Sequence, residues 1–147
     1  MQIERDSFSD PWSRASFEAA LDLERMRFLV AVGGEQSGER GVRAPASRVV
    51  GYVIALLLVD EAEIADIAVV PASRGRGIGG QLLDRMCEDA AELGVRSLYL
   101  EVRESNAAAR ALYASRFFKP VGRRPGYYRQ PLEDALVLRK DIKAMVK

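Results

Sequence analysis

Residues 60–94 read DEAEIADIAVVPASRGRGIGGQLLDRMCEDAAELG, and this stretch decides the fold. Its first part is apolar or alternating from Glu63 to residue 70 and predicts a strand. After Pro71 the apolar residues recur every three or four positions, which predicts a helix that ends at Gly94. Those residues are Ile78, Leu82, Leu83, Met86, Cys87, Ala90 and Leu93. A glycine-rich loop joins the strand to the helix, so the stretch is a strand, a loop and a helix in direct succession.

The sequence before this stretch predicts one helix and two further strands. Residues 13–24 place apolar side chains at helical spacing, and residues 28–32 form a first strand. Residues 49–59, VVGYVIALLLV, are almost continuously aliphatic, as in a strand that is buried on both faces. Residues 60–62 then make a turn, so this strand and the one at 63–70 form a hairpin.

The sequence after the long helix predicts a shorter helix between strands. Residues 97–102 form a strand, and Ser105 caps an alanine-rich helix at 107–116. Two more strands at 118–121 and 135–138 are separated by the loop RRPGYYRQP. The order predicts an α/β fold of the α+β kind, with a mixed, mostly antiparallel sheet flanked by helices. We expect one domain over residues 1–147.

Composition excludes several classes of site. The 147 residues include 22 Lys and Arg against 21 Asp and Glu, with one cysteine and no histidine. Ser/His/Asp and Cys/His triads are therefore impossible, a metal site is not expected, and proton transfer falls to Glu, Asp, Lys, Tyr or water. One cysteine cannot form an internal disulfide, which favours a reducing, cytoplasmic location. The net charge of +1 and the lack of a long apolar segment predict no nucleic-acid or membrane partner.

The loop at 74–80 favours an anionic ligand. Its glycines let the backbone approach a ligand closely, and the first N–H groups of the following helix attract anionic oxygen. Gly75, Gly77 and Gly80 match the GxGxxG dinucleotide fingerprint, with Glu101 where a ribose-binding acid would lie. The hairpin before the loop and the residues between strand and loop argue against an NAD-binding fold, although the pattern keeps it open. The same loop also reads RxxGxG.

In its RxxGxG form the loop resembles the pyrophosphate-binding loop of the GNAT superfamily of N-acetyltransferases. The segment LEVRESNAAARALY at 100–113 is more specific. Three further segments match in the same order, namely FSDPWS at 8–13, DEAEIADIAV at 60–69 and RRPGYYRQPLEDA at 123–135. Together they resemble the type that acetylates the N-terminal alanine of ribosomal proteins. The resemblance implies the GNAT fold, acetyl-CoA as co-substrate without a metal, and a protein or peptide N-terminus as acceptor, with a ribosomal protein expected.

The resemblance also implies which residues form the site. The acetyl and pantetheine arm would lie along a strand edge, the pyrophosphate on the glycine loop, and a further CoA contact would come from the start of the last helix. These cofactor-binding residues are Ile67, Ala68, Val69, Arg74, Gly75, Arg76, Gly77, Ile78, Gly79, Gly80 and Asn106. The implied catalytic pair is Glu101 as proton acceptor and Tyr113 as proton donor.

Glu101 and Tyr113 are chemically suited to acetyl transfer. An N-terminal α-amine has a pKa of about 7.7 to 8.0 and is partly neutral near neutral pH, whereas a Lys amine at about 10.4 is almost fully charged. A carboxylate is a sufficient base for the former. Glu63 is a second candidate base, and Glu101 could instead form a salt bridge to Arg103. Tyr113 stays protonated at neutral pH, although a core role is common for such a tyrosine.

Other functions remain open. The chain could be a GNAT enzyme that acts on lysine or a small-molecule amine, a non-catalytic CoA-binding module, or the NAD-binding domain above. Cys87 lies in the middle of a helix among apolar residues, so no covalent nucleophile is expected and direct transfer in a ternary complex follows. We expect the loop at 123–131 to grip a peptide N-terminus.

Three features depart from the superfamily pattern. Phe117 stands where a glycine is usual, so the helix end before it must adopt another backbone or bear strain. The usual opening strand is missing, and an unpaired sheet edge would favour dimerisation, so we expect a monomer or a weak homodimer. The polar loop at 33–48 is longer than expected, and we assign it no function.

Overall fold

The computed structural model describes residues 11–33 and 48–143, together with Ile3 and Ser7. The helices are α1 (Arg14–Leu21), α2 (Ile78–Glu92) and α3 (Ala107–Ser115), with a 3₁₀ turn at Pro71–Ser73. The strands are β1 (Met26–Gly33), β2 (Arg48–Leu57), β3 (Glu61–Val69), β4 (Ser97–Arg103), β5 (Lys119–Arg129) and β6 (Leu132–Asp141). The order of helices and strands predicted from the sequence is confirmed.

Within the described residues, six strands form one sheet in the order β1-β2-β3-β4-β6-β5. Every neighbouring pair is antiparallel except β3 and β4, which are parallel. The parallel pair arises because α2 connects β3 to β4 as a crossover. The prediction of a mixed, mostly antiparallel sheet is therefore confirmed.

The parallel pair separates halfway along its length. β3 and β4 pair from Glu61 opposite Ser97 to Ile64 opposite Leu100, and no pairing follows. β3 nevertheless continues to Val69, and β4 to Arg103. A gap therefore opens between two central strands of the sheet, at the end nearer the glycine loop.

The sheet has a core on each face. On one face α2 and α3 cover a large cluster that includes Val53, Leu83, Met86, Leu98 and Leu100. On the other face Tyr52, Ile54 and Ala68 pack with Trp12, Phe17, Met26 and Phe28. Central β2 residues lie in both clusters, so the prediction that this strand is buried on both faces is confirmed.

Two local predictions were wrong. The turn of the first hairpin lies before Glu61 rather than at residues 60–62, because Leu58 N–H donates to the Glu61 carbonyl and β3 already begins there. Ser105 does not cap α3. Asn106 is the N-cap and its side chain accepts from Ala109 N–H at 3.1 Å, while the Ser105 backbone and hydroxyl both donate to Glu133.

The prediction of a loop at 123–131 was also wrong, since most of this segment belongs to strand β5. Pro125 and Gly126 suggested a loop, but they sit in an irregularity of the ladder between Arg124 and Tyr128. Because β5 is an edge strand, a missing backbone donor and an extra bend are tolerated there.

Phe117 has a left-handed backbone with φ of 68°. Its N–H donates to Ala114 and the following N–H of Phe118 donates to Tyr113, which closes the end of α3. A side chain at this φ is unfavourable. Of the two alternatives predicted for this helix end, another backbone conformation or strain, the structure shows strain.

Gly33 at the end of β1 pairs with Arg48 at the start of β2. The rest of the polar loop predicted at 33–48 lies outside the described residues, as do residues 8–10 of the segment 8–13. In the part of the chain that the structure describes, no helix combines the length and apolar character needed to cross a membrane.

Candidate functional site

The glycine loop presents unpaired backbone donors at the start of α2. Gly75 and Gly77 have φ of 78° and 81°, and a Cβ on either residue would meet no atom within 4 Å. The first backbone bond into the helix runs from Gln81 N–H to the Gly77 carbonyl, and no side chain caps this end. The N–H groups of Ile78, Gly79 and Gly80 therefore lack helical acceptors and are available to an anion.

The Arg74 side chain braces this loop. Its Nε donates to the Val69 carbonyl at 2.9 Å and its terminal nitrogen donates to the Ser7 hydroxyl at 3.0 Å. Both contacts tie the loop to the end of β3 and to the N-terminal segment. Whatever the loop binds, Arg74 contributes by holding the backbone in place while its guanidinium donates to these two oxygens.

Two glycines of the loop lie close to side chains of α3 and of Arg116, the residue that follows it. A Cβ on Gly79 would press on Leu112 at 3.3 Å, and one on Gly80 would collide with the guanidinium of Arg116. Arg116 also forms an ion pair with Asp84 at 3.4 Å. The small residues therefore let α3 lie against the first turn of α2 and place a positive charge beside it.

The gap between β3 and β4 is lined by free main-chain groups. Val70 N–H donates to the Val50 carbonyl on the β2 side. Because successive residues of a strand point their backbone groups to opposite sides, those of Ile67 and Val69 point into the gap and those of Ala68 point to β2. Of the three strand residues predicted at the site, two therefore offer backbone groups to a ligand there.

Asn106 lies on the far side of this gap, at the start of α3. Its side-chain oxygen is used to cap the helix. Its amide nitrogen is the group left for a further contact.

Tyr113 lies on α3 and is buried in the main core. Its ring packs edge to face on Phe118 at 6.0 Å between centroids. Burial, with smaller contributions from Tyr128 and Asp66, raises the pKa of Tyr113 far above its ordinary value. Within residues 11–33 and 48–143 its hydroxyl makes no hydrogen bond, so it is a protonated donor without an acceptor.

Glu101 lies on β4, on the sheet face away from α2. Its side chain is 11% exposed, and its Oε1 lies 2.8 Å from Nε of Arg124. The alternative of a salt bridge to Arg103 is wrong, because Arg103 instead pairs with Glu133 at 3.3 Å and stacks on Tyr128 at 4.2 Å. Hydrogen bonding to Glu101 is also the main cause that raises the pKa of Tyr127 to about 12.

Glu63 lies beside Glu101 because of the parallel register. Glu63 pairs with Tyr99, and Glu101 is two residues further along β4 on the same face. Burial and the negative charge of Glu101 raise the pKa of Glu63, and Arg124 lowers it by less. Both carboxylates line one open cavity, together with Leu58, Glu61, Ala62, Tyr99, Leu100, Arg124 and Val137.

The structure thus brings Glu101 and Glu63 together in one cavity, and Tyr113 is not among the residues that line it. The catalytic pair predicted from the sequence did not include Arg124, Tyr127 or Tyr128. Their signal was the RRPGYY segment, whose basic and aromatic residues suggested peptide contact but whose strand geometry was missed.

The comparisons with known proteins cover most of the chain. The model of the acetyltransferase (GNAT) family matches residues 1–117. The chain is 35% identical over 142 residues to the ribosomal protein bS18-alanine N-acetyltransferase of Salmonella typhimurium, which covers 93% of this chain and 85% of that protein. It is 39% identical over 133 residues to the N-alpha-acetyltransferase RimI of Mycobacterium tuberculosis, covering 90% of this chain and 77% of that protein.

A solved structure gives the same result. The crystal structure of the ribosomal-protein-S18-alanine N-acetyltransferase from Escherichia coli superposes with a TM-score of 0.80 at 31% identity. The superposition covers 99% of this chain and 86% of that one. Both the sheet and the site described above lie within the matched region.

Proposed function

The chain belongs to the GNAT family of acetyltransferases, and from that premise we propose that it transfers the acetyl group of acetyl-CoA to the N-terminal α-amine of a protein. The resemblance identified from the sequence is confirmed at the level of the family and of its bS18-alanine N-acetyltransferase relatives. The acceptor that we propose is the N-terminal alanine of ribosomal protein bS18, by likeness to those relatives.

One observation carries the acceptor side of this proposal: Glu63 and Glu101 line the same cavity, beside the strand gap. Two adjacent carboxylates attract an ammonium group and can accept its proton. A weak base suffices to deprotonate an α-amine, whose pKa is about 7.7 to 8.0. It is much less able to deprotonate a lysine amine, whose pKa is about 10.4. The residues therefore favour an N-terminal acceptor.

The donor side fits acetyl-CoA. The free N–H groups of residues 78–80 suit a pyrophosphate, and the backbone groups of Ile67 and Val69 suit an extended amide chain in the gap. The carbonyl group of Val69 is already held by Arg74, which leaves its N–H for that chain. When bound, acetyl-CoA supplies the acetyl thioester.

The roles of the protein groups follow from their surroundings. Glu101, with Glu63 beside it, accepts the proton of the attacking amine. Tyr113 keeps its proton over the whole working pH range because burial raises its pKa. Complete proton transfer from such a phenol to a thiolate, whose thiol has a pKa of about 8.5 if it resembles cysteine, runs uphill, so Tyr113 contributes a hydrogen bond to the leaving sulfur.

Cys87 does not provide a covalent route. It packs against the main core from α2, and burial raises the pKa of its thiol. A protonated thiol in this position is a poor nucleophile. The amine therefore attacks directly, with both substrates bound at once.

The proposed function is tested with a peptide that matches the start of bS18, begins with alanine and contains one internal lysine. The peptide is incubated with the protein and isotopically labelled acetyl-CoA, and fragment mass spectra locate the label. A matched peptide with a blocked α-amine serves as the control. We expect label on the α-nitrogen of the free peptide and none on the blocked one; label confined to lysine would contradict the proposal.

A further inference from the structure

Two neighbouring arginines of β5 are held in very different ways. Arg123 donates from two nitrogens to both oxygens of Glu104, at 2.7 and 2.8 Å, and also to Asp134 at 3.1 Å. Among the described residues, the Arg124 side chain makes one ion-pair contact, from Nε to Oε1 of Glu101, and lies over the Tyr127 ring at 5.7 Å; it is 58% exposed. A forked, bidentate arrangement holds an arginine firmly, whereas one ion-pair contact and one cation–π contact at an exposed side chain hold it less firmly.

The carboxylate that Arg124 contacts is by contrast nearly buried and crowded by negative charge. Glu101 is 11% exposed and shares its cavity with Glu61 and Glu63. Removing the only cation that lines this cavity among the described residues would leave three carboxylates together. The cavity therefore requires a positive group, but the group that fills this role is loosely attached.

The chain beside Arg124 is shaped so that its side chain can leave. Residues 125–127 of β5 stand opposite Asp134 alone, and Asp134 accepts from Gly126 N–H at 2.9 Å and from Arg123. These bonds fix the backbone of the irregularity without involving the Arg124 side chain. Arg124 can consequently swing into solvent, giving up its contacts with Glu101 and the Tyr127 ring, while the backbone of the irregularity stays in place.

We propose that the Arg124 guanidinium occupies, in the free protein, the place that the acceptor's α-ammonium takes on Glu101, so that acceptor binding exchanges one cation for the other. This inference rests on the proposed function, because it assumes a cationic amine as the acceptor. Arg124 is then a specificity-determining residue. It keeps the acidic cavity neutralised until an acceptor arrives, and an acceptor must carry a charged amine to displace it.

The exchange predicts that removing the charge of Arg124 strengthens peptide binding, whereas removing a residue that contacts the peptide would weaken it. Arg124→Gln removes the competing cation, so a peptide with a free N-terminal alanine should bind about two- to fivefold more tightly, in keeping with the small strength of an exposed ion pair. Calorimetry with CoA present, which permits no turnover, measures this directly. Arg124→Lys, which keeps a cation, should bind close to the wild-type protein.

Two controls separate charge from contact. Arg129→Gln makes the same change of charge on the same strand, away from the cavity, and should leave peptide binding unchanged. A peptide with a blocked α-amine should gain nothing from Arg124→Gln. Thermal unfolding of each variant shows that the sheet is intact.

The outcomes also distinguish this inference from the proposed function. Equal or weaker binding of the free peptide by Arg124→Gln overturns the exchange, even if the wild-type protein acetylates that peptide. If Arg124→Gln binds the free peptide more tightly but mass spectrometry finds no acetylated α-amine, the exchange stands and the proposed function is wrong.

Discussion

The two ends of the proposed site consist of different chemical groups. The donor end, at the glycine loop and the strand gap, consists of main-chain groups: the N–H groups that open α2 and the backbone of Ile67 and Val69. The acceptor end consists of side chains from β3, β4 and β5, namely Glu63, Glu101, Arg124 and Tyr127. The difference teaches that substitutions should act on the donor end through backbone conformation and on the acceptor end through charge.

The largest effect should come from the acceptor end. Glu101→Gln keeps the size of the side chain but removes its negative charge and its ability to accept a proton. We expect kcat/KM to fall by about 10²- to 10⁴-fold, the usual contribution of a general base. Steady-state kinetics with the alanine peptide measures it, and Glu92→Gln on the surface of α2 is the control. A loss of less than about tenfold would place the proton acceptor elsewhere.

Substitution of Tyr113 should separate catalysis from folding. Tyr113→Phe keeps the packing on Phe118 and removes a buried hydroxyl that has no acceptor within the described residues. We expect kcat to fall by about 10²- to 10³-fold, the loss of one hydrogen bond to developing charge, with KM unchanged. The free energy of unfolding in urea should stay the same or rise by up to about 1 kcal/mol.

An unchanged kcat would assign Tyr113 to the core alone. A large loss of stability would show instead that the hydroxyl has a partner in the folded protein.

The donor end should respond to a change of backbone freedom. Gly77→Ala puts a side chain at φ of 81°, where it meets no atom but alters the loop. Gly94→Ala at the other end of α2 is the matched control, with φ of 84° and the same open surroundings. Both should lose about 1 kcal/mol of stability. Only Gly77→Ala should raise the KM for acetyl-CoA, by about fivefold, if anion binding there uses backbone N–H groups.

A rise in KM for both variants would mean that general destabilisation, and not the loop, is responsible. The KM for the peptide should stay constant in both, since the acceptor end is untouched.

The acceptor end should also determine the pH dependence. A base works only when ionised, and burial and Glu101 raise the pKa of Glu63, so activity should fall as the pH drops through that raised value. Glu63→Gln removes this group and one negative charge beside Glu101. The acidic limb of kcat/KM should then move to lower pH by about half a unit to one unit, with a loss of about two- to fivefold at high pH.

The pH profiles of both proteins are recorded with the same peptide, so that the titration of its amine contributes equally. A limb that stays in place would show that Glu63 takes no part in the proton transfer.

The smallest effect should come from Phe117, which belongs to neither end of the site. Phe117 is 76% exposed and strained at φ of 68°. Phe117→Gly should raise the free energy of unfolding by about 0.5 to 1 kcal/mol, the relief of strain less the entropy of glycine. Phe117→Ala keeps a Cβ and should gain nothing. Activity should be unchanged in both; equal stability of the two variants would contradict the assignment of strain.

The donor end could be predicted from the sequence because its parts are local. The strand, the loop at 74–80 and the start of α2 are consecutive, so glycine spacing and apolar periodicity place them together. The role of the Arg74 side chain could not be predicted, because its acceptors belong to Val69 and the distant Ser7.

The acceptor end could be predicted only in part. Glu101 was identified through its motif, but the alternative considered for it was a salt bridge to Arg103, two residues away, whereas its partner is Arg124 on another strand. Pro125 and Gly126 suggested a loop, since nothing local shows that β6 pairs with this segment and that Asp134 holds it. Long-range pairing therefore decides this half of the site.

A crystal structure with a bisubstrate analogue, in which CoA is joined through an acetyl linker to the nitrogen of an alanine peptide, tests the central claim most directly. The account predicts the pyrophosphate on the N–H groups of residues 78–80 and the linker nitrogen facing Glu63 and Glu101. A linker nitrogen that lies away from both carboxylates would contradict it.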